Sequence, residues 1–257
     1  MQFDSGRPVA LVTEASNPIA SAAALRLARS GARVMACGVD GEGLEAALDA
    51  GAADQHITTF AADLTVGGEA DRLINFAIEK FGHIDVLVTG PALPPNISWP
   101  NGQKDQLLSV ATHALRGWIN GVQAAIAPLE RSGGRIISIV TSAGRYRTGY
   151  FRPETMNLSS APEALANGAI LSLIRQLALE LAPRRIRLNA VVVGLMEGSG
   201  EFAQMSERER RFALEEISLG RLGTPEEVAG AIAFLASNAS NYVTGTAIDV
   251  NGGWWMS

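Results

Sequence analysis

The sequence is poor in the residues that build disulfides and metal sites. Its one cysteine, Cys37, has no partner for an internal disulfide, which fits a reducing compartment. Its three histidines follow no metal-ligand spacing, so we expect no metal site; they are His56, His83 and His113. No apolar run reaches the ~18 residues of a membrane span, and the polar first residues predict no signal peptide. These absences favour a cytoplasmic protein that has no membrane partner.

Charge and composition exclude further classes of protein. The formal net charge is −5, which argues against nucleic acid as a partner. Hydrophobic residues make up 47% of the 257 residues, so the chain is not of the disordered class and can bury a sizeable core. The sequence has no evident linker or internal repeat. We therefore expect one domain over residues 1–257.

Strand-like apolar runs alternate with helical patterns along the chain. The runs predict strands at 9–13, 33–37, 56–61, 86–89, 135–140, 187–193 and 246–250. The patterns between them predict helices at 20–30, 43–49, 68–81, 105–131, 163–181, 206–217 and 225–235. This alternation is typical of right-handed βαβ crossovers. The predicted fold is α/β, a Rossmann-like doubly wound parallel sheet with helices on both faces.

The first strand-to-helix turn has the outline of a dinucleotide-binding loop but not its glycines. The nicotinamide-binding pattern T-G-x-x-x-G-x-G would place glycine where the sequence has Glu14, Pro18 and Ala20. Glycine permits backbone geometry that other residues resist and lets the diphosphate approach closely. Glu14 adds a negative charge, and Pro18 removes an N–H donor. The turn predicts that this chain holds no NAD(P), unless a rearranged loop binds the cofactor through other atoms.

Over nearly its whole length the sequence resembles the short-chain dehydrogenase/reductase family. The resemblance is carried by Ala62-Asp63-Leu64 after the third strand and by the segments 84–88, 173–191, 220–228 and 243–253. It implies the Rossmann-like fold and, in family members, an aspartate at Asp63 that contacts the adenine region of the cofactor. Asp63 is therefore the possible residual cofactor contact. At the end of the second strand, however, Gly38 stands where members carry the residue that recognises the ribose.

The resemblance also locates the four catalytic positions of the family. The asparagine, serine, tyrosine and lysine of the family correspond to Ala114, Thr141, Glu163 and Asn167. In family members the tyrosine donates or accepts the proton, and the lysine lowers its pKa. Asn167 has no charge with which to do this, although Thr141 keeps a hydroxyl. Val193 replaces a further family residue, a proline that follows the sixth strand.

The loop 144–161 is longer than the family pattern and is rich in arginine and tyrosine. Its candidate residues are Arg145, Tyr146, Arg147, Tyr150 and Arg152. Clustered side chains of these types bind anions, so an acyl-CoA or another anionic small molecule, or a partner subunit, could be the ligand. A solvated basic surface is the simpler interpretation. Tyr150 is a candidate for a displaced catalytic acid.

Two hypotheses follow from these departures. The first is a non-catalytic subunit of a hetero-oligomeric dehydrogenase, similar to the inactive partner in a hydroxyacyl-CoA dehydrogenase of the benzylsuccinate pathway. Its partner would be an active family member in a heterotetramer, or the chain itself in a homo-oligomer, and NAD(P) would bind only to the partner. The second is an active atypical enzyme, either a cofactor-independent lyase or dehalogenase-like enzyme or a reductase with an unusual NAD(P) pose. The reductase would use Thr141 with Tyr150 or Glu163.

Overall fold

The sheet of this protein forms from short apolar segments that are buried on both faces. In the computed structural model, which describes residues 7–49, 56–90, 104–144, 161–198, 202 and 205–256, there are seven such strands. They are β1 Val9–Val12, β2 Arg33–Gly38, β3 Ile57–Ala61, β4 Val86–Thr89, β5 Arg135–Thr141, β6 Arg187–Val193 and β7 Ala247–Val250. All pair in parallel, in the order β3-β2-β1-β4-β5-β6-β7. This order confirms the predicted doubly wound sheet.

Helices cover both faces of the sheet. Those in the described residues are α1 Pro18–Arg29, α2 Gly41–Asp49, α3 Glu69–Phe81, α4 Lys104–Ser132, α5 Ala161–Leu181, α6 Glu207–Glu216 and α7 Pro225–Ala236. Successive strand residues point to opposite faces, so Leu11 lies in the apolar cluster of one face and Ala10 in that of the other. Alanines on α1 allow this helix to pack closely on the second face. The chain order reverses between β1 and β4, where folds of this class form their ligand crevice.

The structure confirms every predicted strand and helix, with no end displaced by more than two residues. One start was wrong for a physical reason: α1 begins at Pro18, not at residue 20. Asn17 caps this helix and Pro18 occupies its first turn, where a missing N–H costs nothing. The loop 144–161, with its arginines and tyrosines, lies outside the described residues except at its ends.

A third, smaller apolar cluster includes the C-terminal segment. Trp254 is 8% exposed and packs there with Leu195, Ile217 and Leu222. It therefore packs into the domain's own core, whereas Met256 is exposed.

One described stretch, Ala161–Arg184, is long and apolar enough by composition to span a membrane. It contains α5, which packs against α4 and β6. Core helices of soluble proteins pass the same test, so this is weak evidence for a membrane span.

Candidate functional site

Four of the predicted positions, Glu14, Ala20, Thr141 and Val193, line the crevice at the carboxyl ends of β1, β4, β5 and β6. A cavity of about 50 Å³ lies there, and its walls come from both the first turn and the strand that carries Thr141. The residues that line it are Glu14, Asn17, Ile19, Ala20, Gly90, Ile139, Val140, Thr141 and Val193. The fold therefore brings the altered dinucleotide loop and one altered catalytic position to a single site.

Glu14 adopts backbone geometry that usually belongs to glycine. Its φ is +55°, in the left-handed region. Burial, together with the nearby negative charge of Asp63, raises the pKa of the Glu14 carboxyl. The turn thus has at Glu14 a backbone conformation that favours glycine, and it carries a carboxyl there. An ionised Glu14 would repel the diphosphate of a cofactor. This repulsion is weaker wherever the carboxyl stays protonated, which the raised pKa favours.

At the N-terminus of α1, a side chain of the protein itself accepts a backbone N–H that a ligand could otherwise use. The amide oxygen of Asn17 accepts the Ile19 N–H at 2.9 Å. Pro18 has no N–H to offer. The Asn17 N–H in turn donates to the carbonyl oxygen of Glu14 at 2.9 Å, which ties the cap to the turn. Sequence reasoning missed this contact, although an asparagine directly before a proline and an apolar run indicates a capped helix start.

The Ser16 side chain lies against Gly38 at the end of β2, where the resemblance places recognition of the ribose. A Cβ atom built on Gly38 would lie 2.6 Å from the Ser16 hydroxyl oxygen. The Ser16 side chain therefore occupies the volume that an acidic side chain at position 38 would need. Asp40 lies two residues further on, and its carboxylate accepts the N–H groups of Glu42 and Gly43 at 3.2 and 3.0 Å. It caps α2, so nothing in this contact supports a role in ribose recognition.

Asp63, the predicted residual cofactor contact, is engaged locally. Its Oδ1 accepts the Thr65 hydroxyl at 2.7 Å and the Thr65 N–H at 2.9 Å. The hydroxyl bond is the main cause that lowers the pKa of Asp63. Asp63 is therefore a charged group close to Glu14, at the edge of the crevice.

Three of the four catalytic positions form one hydrogen-bonded cluster, the Thr141–Glu163–Asn167 cluster. The Thr141 hydroxyl donates to Glu163 Oε1 at 2.6 Å. Asn167 is fully buried; its Oδ1 accepts the Thr141 N–H at 3.0 Å and its Nδ2 donates to the Glu163 carbonyl oxygen at 2.9 Å. The cluster ties the first turns of α5 to the end of β5. It holds a carboxyl and a neutral amide at the positions that the sequence resemblance aligns with the tyrosine and lysine of the family.

The fourth position contributes no polar group. Ala114 is buried on α4 and offers only a methyl group. One turn further along the same helix, Trp118 Nε1 donates to the hydroxyl of the fully buried Ser138 at 2.8 Å. This is a core contact that sequence reasoning did not anticipate. Tyr150, the candidate for a displaced acid, lies outside the described residues, as does the rest of its loop.

The sequence matches a protein-family model described as enoyl-(acyl carrier protein) reductase over residues 14–255. A 3-oxoacyl-(acyl-carrier-protein) reductase of Thermotoga maritima is 30% identical over 247 residues, which is 95% of this chain and 96% of that protein. An L-rhamnose 1-dehydrogenase (NAD(P)(+)) of Azotobacter vinelandii is 34% identical over 258 residues, 96% of each chain.

Solved structures show the same likeness. A short-chain dehydrogenase/reductase of Brucella melitensis, described as a glucose/ribitol dehydrogenase, superimposes with a TM-score of 0.84 at 28% identity. The alignment covers 100% of both chains. The similarity thus extends over the sheet, both helical layers and the crevice.

Proposed function

This chain belongs to the short-chain dehydrogenase/reductase family, whose members normally use NAD(P), and we propose that it is a non-catalytic subunit of a hetero-oligomeric dehydrogenase of that family. In this proposal the chain transfers no hydride itself and binds no NAD(P). Its partner is an active family member that oxidises or reduces an alcohol or hydroxyacyl-CoA. The fold is retained because the assembly needs it.

The single observation that carries the proposal is the environment of Asn167. A proton donor for carbonyl chemistry needs a pKa close to the working pH, and in this family a neighbouring ammonium provides the shift. At this position Asn167 is neutral and fully buried, and both ends of its amide are hydrogen-bonded to Thr141 and Glu163. The amide is integrated into the fold and cannot supply that charge.

The first turn supports the same conclusion independently. Glu14, Pro18 and Ala20 together add a carboxyl, remove an N–H and add a Cβ where a diphosphate would have to approach. The cap by Asn17 engages the N–H of Ile19 as well. Meanwhile the core on both faces of the sheet is well packed, so random decay does not account for the pattern.

The proposal is tested by isolating the tagged chain from its native host. We expect it to retain a short-chain dehydrogenase that has all its loop glycines and its tyrosine and lysine, and the complex to show NAD(P)-dependent dehydrogenase activity. The separated chain is expected to show none. Recovery of the chain alone, with dehydrogenase activity of its own, would contradict the proposal.

A second candidate function rests on the 2.6 Å contact between Thr141 and Glu163. Glu163 is 6% exposed, and a buried carboxyl held by a hydroxyl could exchange a proton with a small substrate in the adjoining cavity. This would make the chain an atypical enzyme, either a cofactor-independent lyase or dehalogenase-like enzyme or a reductase with an unusual NAD(P) pose. Turnover by the isolated chain that is lost in Glu163→Gln would favour this candidate over the first.

A further inference from the structure

We infer that the chain closes its own dinucleotide loop with the side chain of Asn17, so that a diphosphate is excluded by a hydrogen bond as well as by the missing glycines. The inference rests on the proposed function, because it explains how a family member comes to bind no NAD(P). It assigns to Asn17 a role that the pattern of lost glycines does not reveal.

The first two backbone donors that a diphosphate would meet at this helix end are absent or engaged. A phosphate group at a helix N-terminus is held by backbone N–H groups of the first turn. Of the first two helical residues, Pro18 has no N–H and the Ile19 N–H is bonded to Asn17 Oδ1 at 2.9 Å. The amide oxygen of Asn17 therefore lies where an oxygen of a bound phosphate would accept the same proton.

The cap is held in place from both sides. The Asn17 N–H donates to the Glu14 carbonyl oxygen and the Asn17 carbonyl oxygen accepts the Ser21 N–H, each at 2.9 Å. The Ser21 hydroxyl donates to the Pro18 carbonyl oxygen at 3.0 Å. Asn17 itself has the extended backbone of a helix cap, with φ −78° and ψ 137°. These contacts hold the backbone of Asn17 in place, and the bond to the Ile19 N–H holds its side chain.

The cap and the carboxyl of Glu14 act separately. Glu14 lines the cavity with its carboxyl, whereas Asn17 acts at the helix end through a neutral amide. Removing the carboxyl alone leaves the Ile19 N–H engaged. Both must change before the helix end can accept an anion.

The test compares the wild type, Glu14→Gly, Glu14→Gly/Asn17→Ser and Glu14→Gly/Asn17→Gly by calorimetric titration with inorganic pyrophosphate and with ADP. Serine keeps a capping oxygen, whereas glycine removes it at little cost to helix stability. We expect the variant with glycine at both positions to bind pyrophosphate at least about tenfold more tightly than the other three, since it frees a donor for a charged acceptor.

The outcomes separate this inference from the proposed function. The inference would be overturned if Glu14→Gly and Glu14→Gly/Asn17→Gly bound pyrophosphate with equal affinity. Cooperative thermal unfolding of the double variant would show that it is folded, so that a missing gain in affinity cannot be blamed on misfolding. If that variant does not fold, Glu14→Gln/Asn17→Gly and Glu14→Gln/Asn17→Ser, which keep a side chain at position 14 but remove its charge, provide the same comparison, and equal affinity again overturns the inference. Micromolar binding of NAD(P) by the wild type would overturn both the inference and the proposed function.

Discussion

Glu14 combines a left-handed backbone with a buried carboxyl, and each has its own energetic consequence. The left-handed conformation costs a residue with a Cβ about 1–2 kcal/mol relative to the right-handed one. The carboxyl adds a proton-linked contribution. Its pKa in the folded chain lies above the ordinary value of 4.5, so the folded state holds this proton more tightly than the unfolded state does.

The pH dependence of stability follows from that shift. The stabilisation that the proton provides is present below the unfolded pKa and is lost as the pH rises through the folded pKa. We therefore expect Glu14→Gln, which keeps the backbone strain, to be more stable than the wild type at pH 7. The difference should shrink as the pH falls toward 4, as measured by urea unfolding. Glu45→Gln, at an exposed position on α2, serves as the control; a difference at Glu14 that does not change with pH would refute the account.

Asn167 gives a second prediction at this scale. Replacing it by leucine leaves the half-buried Thr141 N–H without its acceptor and removes the side-chain donor to the Glu163 carbonyl oxygen. We expect a loss of about 1–3 kcal/mol in the free energy of unfolding for Asn167→Leu. The matched control on the same helix is the exposed Gln176→Leu, which should stay within about 0.5 kcal/mol of the wild type. Equal effects at the two positions would argue against a structural role for the cluster.

At the scale of elements, polar caps determine where several helices begin. The Thr224 hydroxyl accepts the Glu227 N–H at 3.3 Å, and the Glu227 carboxylate accepts the Thr224 N–H at 2.9 Å. Thr224→Ala should therefore destabilise the protein by about 1 kcal/mol, whereas Thr224→Ser should be close to the wild type. Thermal unfolding of the three proteins checks this, and a serine variant as weak as the alanine variant would exclude the cap as the cause.

The same scale shows what could be predicted from the sequence. Strands such as β1 and β5 were predictable because a continuous apolar run bounded by turns has few alternatives in an alternating α/β chain. The start of α1 was predicted two residues late because the prediction followed the missing glycines of the turn. Asn17 and Pro18 indicate a helix start by themselves. The predicted doubly wound parallel sheet followed from connection rules and is confirmed.

The sequence could predict which residues belong to the candidate site, but not which hydrogen bonds they form. The register of α5 assigned Glu163 and Asn167, and the end of β5 assigned Thr141, so their proximity could be expected. The bond from Thr141 to Glu163 depends on side-chain conformations that periodicity does not determine. The fit of Ser16 over Gly38 likewise depends on how closely α1 and β2 approach each other.

At the scale of the whole molecule, the protein has the fold of its family, and the proposed function rests on the groups that face the crevice. The sheet, its two apolar clusters and the C-terminal cluster around Trp254 form a complete scaffold. The residues that line the crevice come from several places in the chain, from the first turn to β6. In the proposed function this scaffold is retained for assembly and not for hydride transfer.

Calorimetric titration of the purified wild-type chain with NADH and NADPH tests this central claim most directly. The account predicts no heat of binding at micromolar cofactor, under conditions in which an intact family member gives a saturable isotherm. A dissociation constant in the micromolar range for either nucleotide would show that the altered loop still holds the cofactor and would contradict the account.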